Sequence, residues 1–138
     1  MITGRVDYKL NWTPTLEALK KIDTSAYYVQ VFEGRYYNET EKEYRIVLKF
    51  HGDGFYRSGL ADNFNSKDLR HPKNTTGCGG KYLIEDNEIK LERFLPMRGG
   101  KTNYYSRDYK KGRIENNKLI FDEDNSALIL EKRFELNN

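Results

Sequence analysis

The chain has 138 residues, a formal net charge of +3 and 19 aromatic residues, 11 of them tyrosine. A chain of this length is expected to form one domain, and its aromatic content excludes an intrinsically disordered protein. Basic residues are interspersed with acidic ones rather than concentrated on one face, so we expect no nucleic-acid partner. The single cysteine, Cys78, excludes a disulfide within the chain.

No stretch reaches the length of a transmembrane helix, so we expect a protein that does not span the membrane. Residues 1–8 lack the charged and apolar regions of a secretory leader. The expected location is therefore the cytoplasm by default. It is the cell envelope or the exterior if the sequence begins after a removed leader.

Residues 1–25 are predicted to form an arm and one short helix. Thr13 fits the N-cap and Pro14 the first helical position. A short apolar stripe follows, made of Leu16, Leu19 and Ile22. In a chain otherwise rich in β-forming residues, such a helix is expected to close one end of a barrel.

Three hairpin signatures recur along the rest of the chain. Each places a polar turn between two β-forming runs, at residues 50–55, 84–89 and 114–119. A repeated hairpin predicts an antiparallel meander, which must close or stack to hide its edges. We therefore predict an all-β fold, an antiparallel up-and-down barrel of eight or nine strands over residues 26–136.

Longer polar connections are predicted between some of the strands. The segment 38–43 is interpreted as a charged turn, and 61–79 is the longest polar stretch of the chain. A loop of that length in a compact domain is often a lid or a binding loop. A second open loop is predicted at 96–101, and the strand that follows is expected to be bulged.

The hairpin around Gly52-Asp53-Gly54 predicts which side chains face inward. A three-residue loop with Gly54 in the left-handed region puts Tyr56, Ser58 and Leu60 inside the barrel. A two-residue loop would send Arg57 inward instead, because a shift of one residue exchanges the two faces. The sequence leaves this choice open.

The hairpin at Asp86-Asn87 makes Arg93 a candidate binding residue. Tyr82, Ile84, Ile89 and Leu91 share a face there, and the same alternation brings Arg93 inward. An arginine inside a barrel requires a carboxylate, several carbonyls or an anionic ligand.

The candidate ligand-binding residues combine these inward arginines with aromatic side chains. Phe64 belongs to the predicted lid, and several tyrosines are expected to line the interior. The full set is Arg93, Tyr36, Tyr44, Tyr56, Tyr82, Phe64 and Arg57.

The residues that usually hold metals or act as nucleophiles are few. His51 stands beside a turn, and His71 and Cys78 lie in one predicted loop without a suitably spaced third ligand. No motif of a cysteine enzyme surrounds Cys78. We therefore expect no metal, no cofactor and no catalytic residue, so the sequence favours a non-catalytic protein without deciding the question.

Three features of the chain resemble the lipocalin-like (calycin-type) barrels, such as small bacterial lipocalin-like proteins. They are Gly34-Arg35-Tyr36 after a helix, the hairpin series at 80–91 and 112–120, and a basic residue in the last strand, Lys132 or Arg133. The resemblance implies a cavity open at one end that binds a small, mostly apolar molecule. It also implies mouth loops at 61–79 and 96–101, and a basic residue stacked on an aromatic one at the barrel base.

The function expected from these features is non-catalytic binding of a small hydrophobic or amphiphilic molecule. One alternative is a protein-interaction module, of the envelope or immunity type, with a packed interior and an exposed aromatic patch. Another is a small barrel isomerase or lyase, in which an arginine faces an interior carboxylate. Binding of single-stranded nucleic acid would require a one-sided basic face.

Overall fold

The structure is a computed structural model, which describes residues 12–32, 38–61, 79–99, 102–123 and 126–134. These residues form two short helices and eight strands. The helices are α1 (Leu16–Lys21) and α2 (Glu39–Glu43). The strands are β1 (Tyr27–Val31), β2 (Ile46–Phe50), β3 (Phe55–Leu60), β4 (Gly79–Glu85), β5 (Glu88–Gly99), β6 (Thr102–Glu115), β7 (Lys118–Glu123) and β8 (Ser126–Arg133).

The eight strands form a closed antiparallel barrel in sequence order. Each strand pairs with the next one, and β8 pairs with β1 from Tyr27↔Arg133 to Val31↔Ile129. The predicted barrel is therefore confirmed, with eight strands. Neither described helix is long and apolar enough to cross a membrane.

Two of the predicted hairpins are tight two-residue turns. Asp86 and Asn116 have φ angles of 54° and 55°, in the left-handed region that Asp and Asn tolerate better than most residues. The flanking residues pair directly, as in Glu85↔Glu88. These turns fix the register of β4 with β5 and of β6 with β7.

The turn between β2 and β3 is the three-residue form. Gly54 has a φ angle of +94°, and Phe50 lies opposite Tyr56. A Cβ atom at Gly54 would lie 2.5 Å from the backbone oxygen of Trp12, so both φ and the close approach require glycine. This register puts Tyr56 and Ser58 inside the barrel and Arg57 on its outer face.

Both helices differ from the prediction in ways that their N-caps explain. Helix α1 begins after Thr15 rather than Thr13, because the Thr15 hydroxyl accepts a hydrogen bond from the Ala18 amide at 3.2 Å. The segment predicted as a charged turn is helix α2. The Asn38 side chain caps it by accepting a hydrogen bond from the Glu41 amide at 2.8 Å.

The predicted loop at 96–101 is wrong over most of its length, because β5 continues to Gly99 and β6 begins at Thr102. The two strands pair residue for residue from Glu88↔Arg113 to Gly99↔Thr102, so β6 is not bulged against β5. A proline within β5 is tolerated because Pro96 lies beyond the part of β5 that pairs with β4.

Helix α1 closes one end of the barrel, which we call the helix end; the opposite end is the far end. Ala18 and Ile22 are buried in the main core cluster. The Asp23 amide donates a hydrogen bond to the Tyr28 hydroxyl at 3.0 Å, and the Lys21 ammonium group donates one to the Asp86 carbonyl. The helix is thus attached to both β1 and the β4–β5 turn.

Four buried aromatic rings fill the barrel above α1, and we call them the aromatic floor: Tyr28, Phe50, Tyr56 and Tyr82. The Phe50 ring lies at the centre, with ring-centroid distances of 5.5 Å to Tyr28, 6.1 Å to Tyr56 and 4.9 Å to Tyr82. Trp12 packs edge-on against Tyr82 at 5.6 Å. The barrel interior next to α1 is therefore filled by side chains.

One residue of the lipocalin-like resemblance, Lys132, can be located in the structure. The triplet Gly34-Arg35-Tyr36 lies outside the described residues. Lys132 lies directly opposite Tyr28 of the first strand, and its ammonium nitrogen is 3.7 Å from an Asp23 carboxylate oxygen.

Replacing Phe50 by alanine is expected to destabilise the protein strongly. The substitution leaves a cavity at the centre of the aromatic floor, and such losses cost about 3–5 kcal/mol in the free energy of unfolding. Urea unfolding followed by circular dichroism measures this cost. Phe134→Ala is the matched control, because Phe134 is 64% exposed and should change stability by at most about 0.5 kcal/mol. Equal effects of the two variants would contradict a floor centred on Phe50.

Stability is expected to fall in alkaline solution because of Tyr82. Its hydroxyl is buried and donates a 2.7 Å hydrogen bond to the His51 carbonyl, and burial raises its pKa above the ordinary value. The unfolded chain therefore loses this proton first, so stability is lost as the pH rises above about 10. The decrease of the urea-unfolding midpoint with pH, measured between pH 8 and 11, gives the slope of stability against pH. In Tyr82→Phe the slope should flatten, and an unchanged slope would contradict the prediction.

Candidate ligand-binding cavity

A cavity of about 310 Å³ lies inside the barrel between the aromatic floor and the far end. We call it the barrel cavity. Its described lining residues come from β2, β3, β5, β6, β7 and β8. They are Ile46, Leu48, Tyr56, Ser58, Gly59, Leu60, Leu91, Arg93, Lys110, Phe121 and Leu128.

Most of the wall is apolar because the strands alternate. Leu48, Leu91, Phe121 and Leu128 are all buried members of the main core cluster and point inward. Tyr56 joins the cavity to the aromatic floor, since it lines the cavity and also packs against the Phe50 ring. This wall suits the apolar part of a ligand.

The charged residues of the described lining are both basic. Arg93 lies on β5 directly opposite Asp108 of β6, and its Nε donates a 2.8 Å hydrogen bond to an Asp108 carboxylate oxygen. Lys110 lies two residues further along β6, with its ammonium nitrogen 5.7 Å from the centre of the Phe121 ring. The cavity thus combines an apolar wall with two basic side chains, of which Arg93 is paired with Asp108.

The prediction for Arg93 depended on its inward direction, and the structure places it in the cavity lining. Tyr56 also lines the cavity. Tyr82 points inward but lies in the aromatic floor, where its hydroxyl is bonded to the His51 carbonyl.

The other predicted residues lie elsewhere. Arg57 is on the outer face of β3, opposite Lys49 of β2, which resolves the alternative that the turn left open. Tyr44 precedes β2 and is 42% exposed. Tyr36 and Phe64 lie outside the described residues.

Sequence reasoning missed Lys110 and Asp108 as neighbours of Arg93. The signal was present in the Asn116-Asn117 hairpin, because counting back by two from Ile114 gives Gly112, Lys110 and Asp108 on the inner face. Lys110 also stands in the segment 107–113, in which four of the seven residues are basic, a composition typical of a solvent-exposed surface.

Glu92 is the one buried charged residue in the described part of the chain, and it lies on the outer face of the barrel. One of its carboxylate oxygens accepts hydrogen bonds from Arg107 Nε at 3.1 Å and from the Tyr109 hydroxyl at 3.2 Å. The guanidinium of Arg107 also stacks on Phe94 at 5.3 Å. This buried carboxylate is therefore separated from the cavity by the barrel wall.

A second cavity, of about 360 Å³, lies at the helix end and has a polar lining. Two of the three lysines in its described lining have protein acceptors nearby: Lys21 donates to the Asp86 carbonyl, and Lys132 lies 3.7 Å from Asp23. The Asp23 carboxylate also accepts hydrogen bonds from Ser25, which lower its pKa. These contacts hold α1 against the barrel, so this cavity is a weaker candidate than the barrel cavity.

Within the described ranges, no three His, Cys, Asp or Glu side chains are grouped as a metal ion would require. His71 and Cys78 lie outside those ranges. Comparison of the chain with known protein families, with curated proteins and with solved structures finds no match.

Glu92→Gln is expected to lower the free energy of unfolding by about 1–3 kcal/mol, because the buried Arg107 contact loses its carboxylate. The matched control is Glu115→Gln. Glu115 also accepts a hydrogen bond from an arginine, Arg113, at 3.0 Å, but its side chain is 56% exposed. The control should cost less than about 1 kcal/mol. Urea unfolding compares the two, and equal costs would contradict a structural role for the burial of Glu92.

Proposed function

We propose that this protein binds a small amphiphilic molecule, without catalysis, in the barrel cavity. The observation that carries the proposal is the lining itself, in which the apolar residues of several strands share one cavity with Arg93 and Lys110. Pockets of this kind, mostly apolar with a few convergent polar groups, are the usual form of small-molecule sites. In this proposal Arg93 is the polar anchor.

The size of the cavity supports a small ligand. The barrel cavity has a volume of about 310 Å³. This volume is near the lower limit of about 300 Å³ for ligand pockets. The aromatic floor prevents extension toward the helix end, because Phe50 and Tyr82 are fully buried there. An eight-carbon chain with a head group, or a single ring with a polar substituent, fits these limits.

The alternatives receive less support. An interaction module was expected to have a packed interior, whereas the interior holds the barrel cavity beyond the aromatic floor. An isomerase or lyase was expected to have an arginine that faces an interior carboxylate. The carboxylate opposite Arg93 is that of Asp108, which is 38% exposed, and the buried Glu92 lies outside the barrel.

The proposal is tested by titrating octan-1-ol into isotopically labelled protein and recording amide chemical shifts by NMR. We expect shifts concentrated at cavity residues such as Ser58, Leu91 and Leu128. Dodecan-1-ol should bind no more tightly than octan-1-ol. If the four additional methylenes were buried, they would add about 3 kcal/mol of favourable transfer free energy. The aromatic floor leaves no room for them.

Two adjacent residues of β3 provide the matched variants. Ser58→Phe places a ring in the cavity and should abolish the shifts, whereas Arg57→Phe places the same ring on the outer face and should leave them intact. Absence of cavity shifts in the unaltered protein, or their loss in the Arg57 variant alone, would overturn the proposal.

A further inference from the structure

We infer that the ligand carries a negatively charged acid group, and that Asp108 holds the place of this group on Arg93 until the ligand displaces it. The inference deepens the proposed function and rests on it. It assigns Asp108 a role as an internal competitor, and it names the ligand class as a monoanion, a carboxylate or a sulfonate, with a short apolar body.

The first observation is the Arg93–Asp108 pair. The two residues are direct partners across β5 and β6, and the Nε–Oδ2 distance is 2.8 Å. Their side chains are 40% and 38% exposed. An ion pair at this exposure contributes little to stability and does not lock the fold. It can therefore be exchanged for an equivalent bond to another carboxylate.

The second observation is the sign of the charge in the cavity. The two charged residues in the described lining, Arg93 and Lys110, are both positive. A ligand anion that takes the place of Asp108 on Arg93 would be attracted by both basic groups. A cationic head group would be repelled by both and attracted only by Asp108, which is already bonded to Arg93. Arginine presents donors that suit a carboxylate or a sulfonate, and such charge-assisted bonds are stronger than neutral ones.

The third observation explains why a ligand would win the exchange. Asp108 offers Arg93 only its carboxylate, because its side chain is short and belongs to the same wall. A ligand offers the same carboxylate together with an apolar body, which can contact Leu48, Leu91 and Phe121 in the cavity. The burial of that body is the additional free energy that decides the competition.

The experiment measures the affinities of octanoate, octan-1-ol and octylammonium by isothermal titration calorimetry and by NMR. It compares the unaltered protein with Asp108→Asn, whose side chain keeps its size and a hydrogen-bond acceptor. We expect octanoate to bind at least about tenfold more tightly than octylammonium. Asp108→Asn should strengthen octanoate binding by about fivefold and leave octan-1-ol binding unchanged.

The matched control is Asp122→Asn. Asp122 forms an ion pair with Arg113 at the same distance of 2.8 Å, but on the outer face of β6 and β7. The substitution changes the net charge by the same amount as Asp108→Asn. It should leave the octanoate affinity unchanged, so a general charge effect is separated from displacement at Arg93.

A direct readout of the exchange is the Nε–Hε resonance of Arg93. This proton is donated to Asp108, so it should shift when octanoate binds and remain in place when octan-1-ol binds. If octan-1-ol binds in the cavity but octanoate gains nothing from Asp108→Asn, the displacement inference is overturned and the proposed function stands. If none of the three compounds shifts the cavity amides, both are overturned.

Discussion

The packing around Phe50 is the constraint on which the rest of the structure depends. Its ring is fully buried and contacts Tyr28, Tyr56 and Tyr82, which come from three other strands. Because aromatic side chains bury large apolar areas, this floor joins β1 to β4 and provides the surface on which α1 packs. It also confines the barrel cavity to the far half of the barrel. The size and position of the candidate site are thus consequences of how the helix end is filled.

Closure of the barrel gives each strand an inner and an outer face with different chemistry. Two arginine–carboxylate pairs on β5 and β6 show the difference. Arg93 lines the cavity and pairs with Asp108 directly across β5 and β6, and both keep contact with solvent, whereas Glu92 is fully buried on the outer face with Arg107. The same residue types therefore serve different purposes. The inner pair is suited to exchange with a ligand, and the outer pair is suited to holding the wall, because breaking a buried pair is costly.

Much of the wall could be predicted from short-range patterns, because a two-residue turn and strict alternation propagate along a hairpin. This is why Arg93 could be located from Asp86-Asn87, and why Tyr56 could be located from the favoured form of its turn. Helix α2 was missed because a charged run without an apolar stripe gives no periodic signal; its existence depends on the Asn38 cap. The extension of β5 past Pro96 was missed because proline has no N–H for a strand ladder and ordinarily ends strand pairing. In the described residues, the pairing of β5 with β4 ends at Arg93, before Pro96.

The sequence by itself determined the hairpins, the antiparallel barrel class and the inward direction of Arg93, since these follow from local backbone preferences and from a period of two. Only the tertiary structure decided which inward residues share a cavity and which form the floor. Tyr56 and Tyr82 have the same local pattern and both pack against Phe50, yet of the two only Tyr56 also lines the cavity. It also placed Lys110 and Asp108 beside Arg93. The physical reason is that the pairing register between strands distant in sequence sets the position of each inward side chain along the barrel axis. No local pattern in a single strand encodes that position.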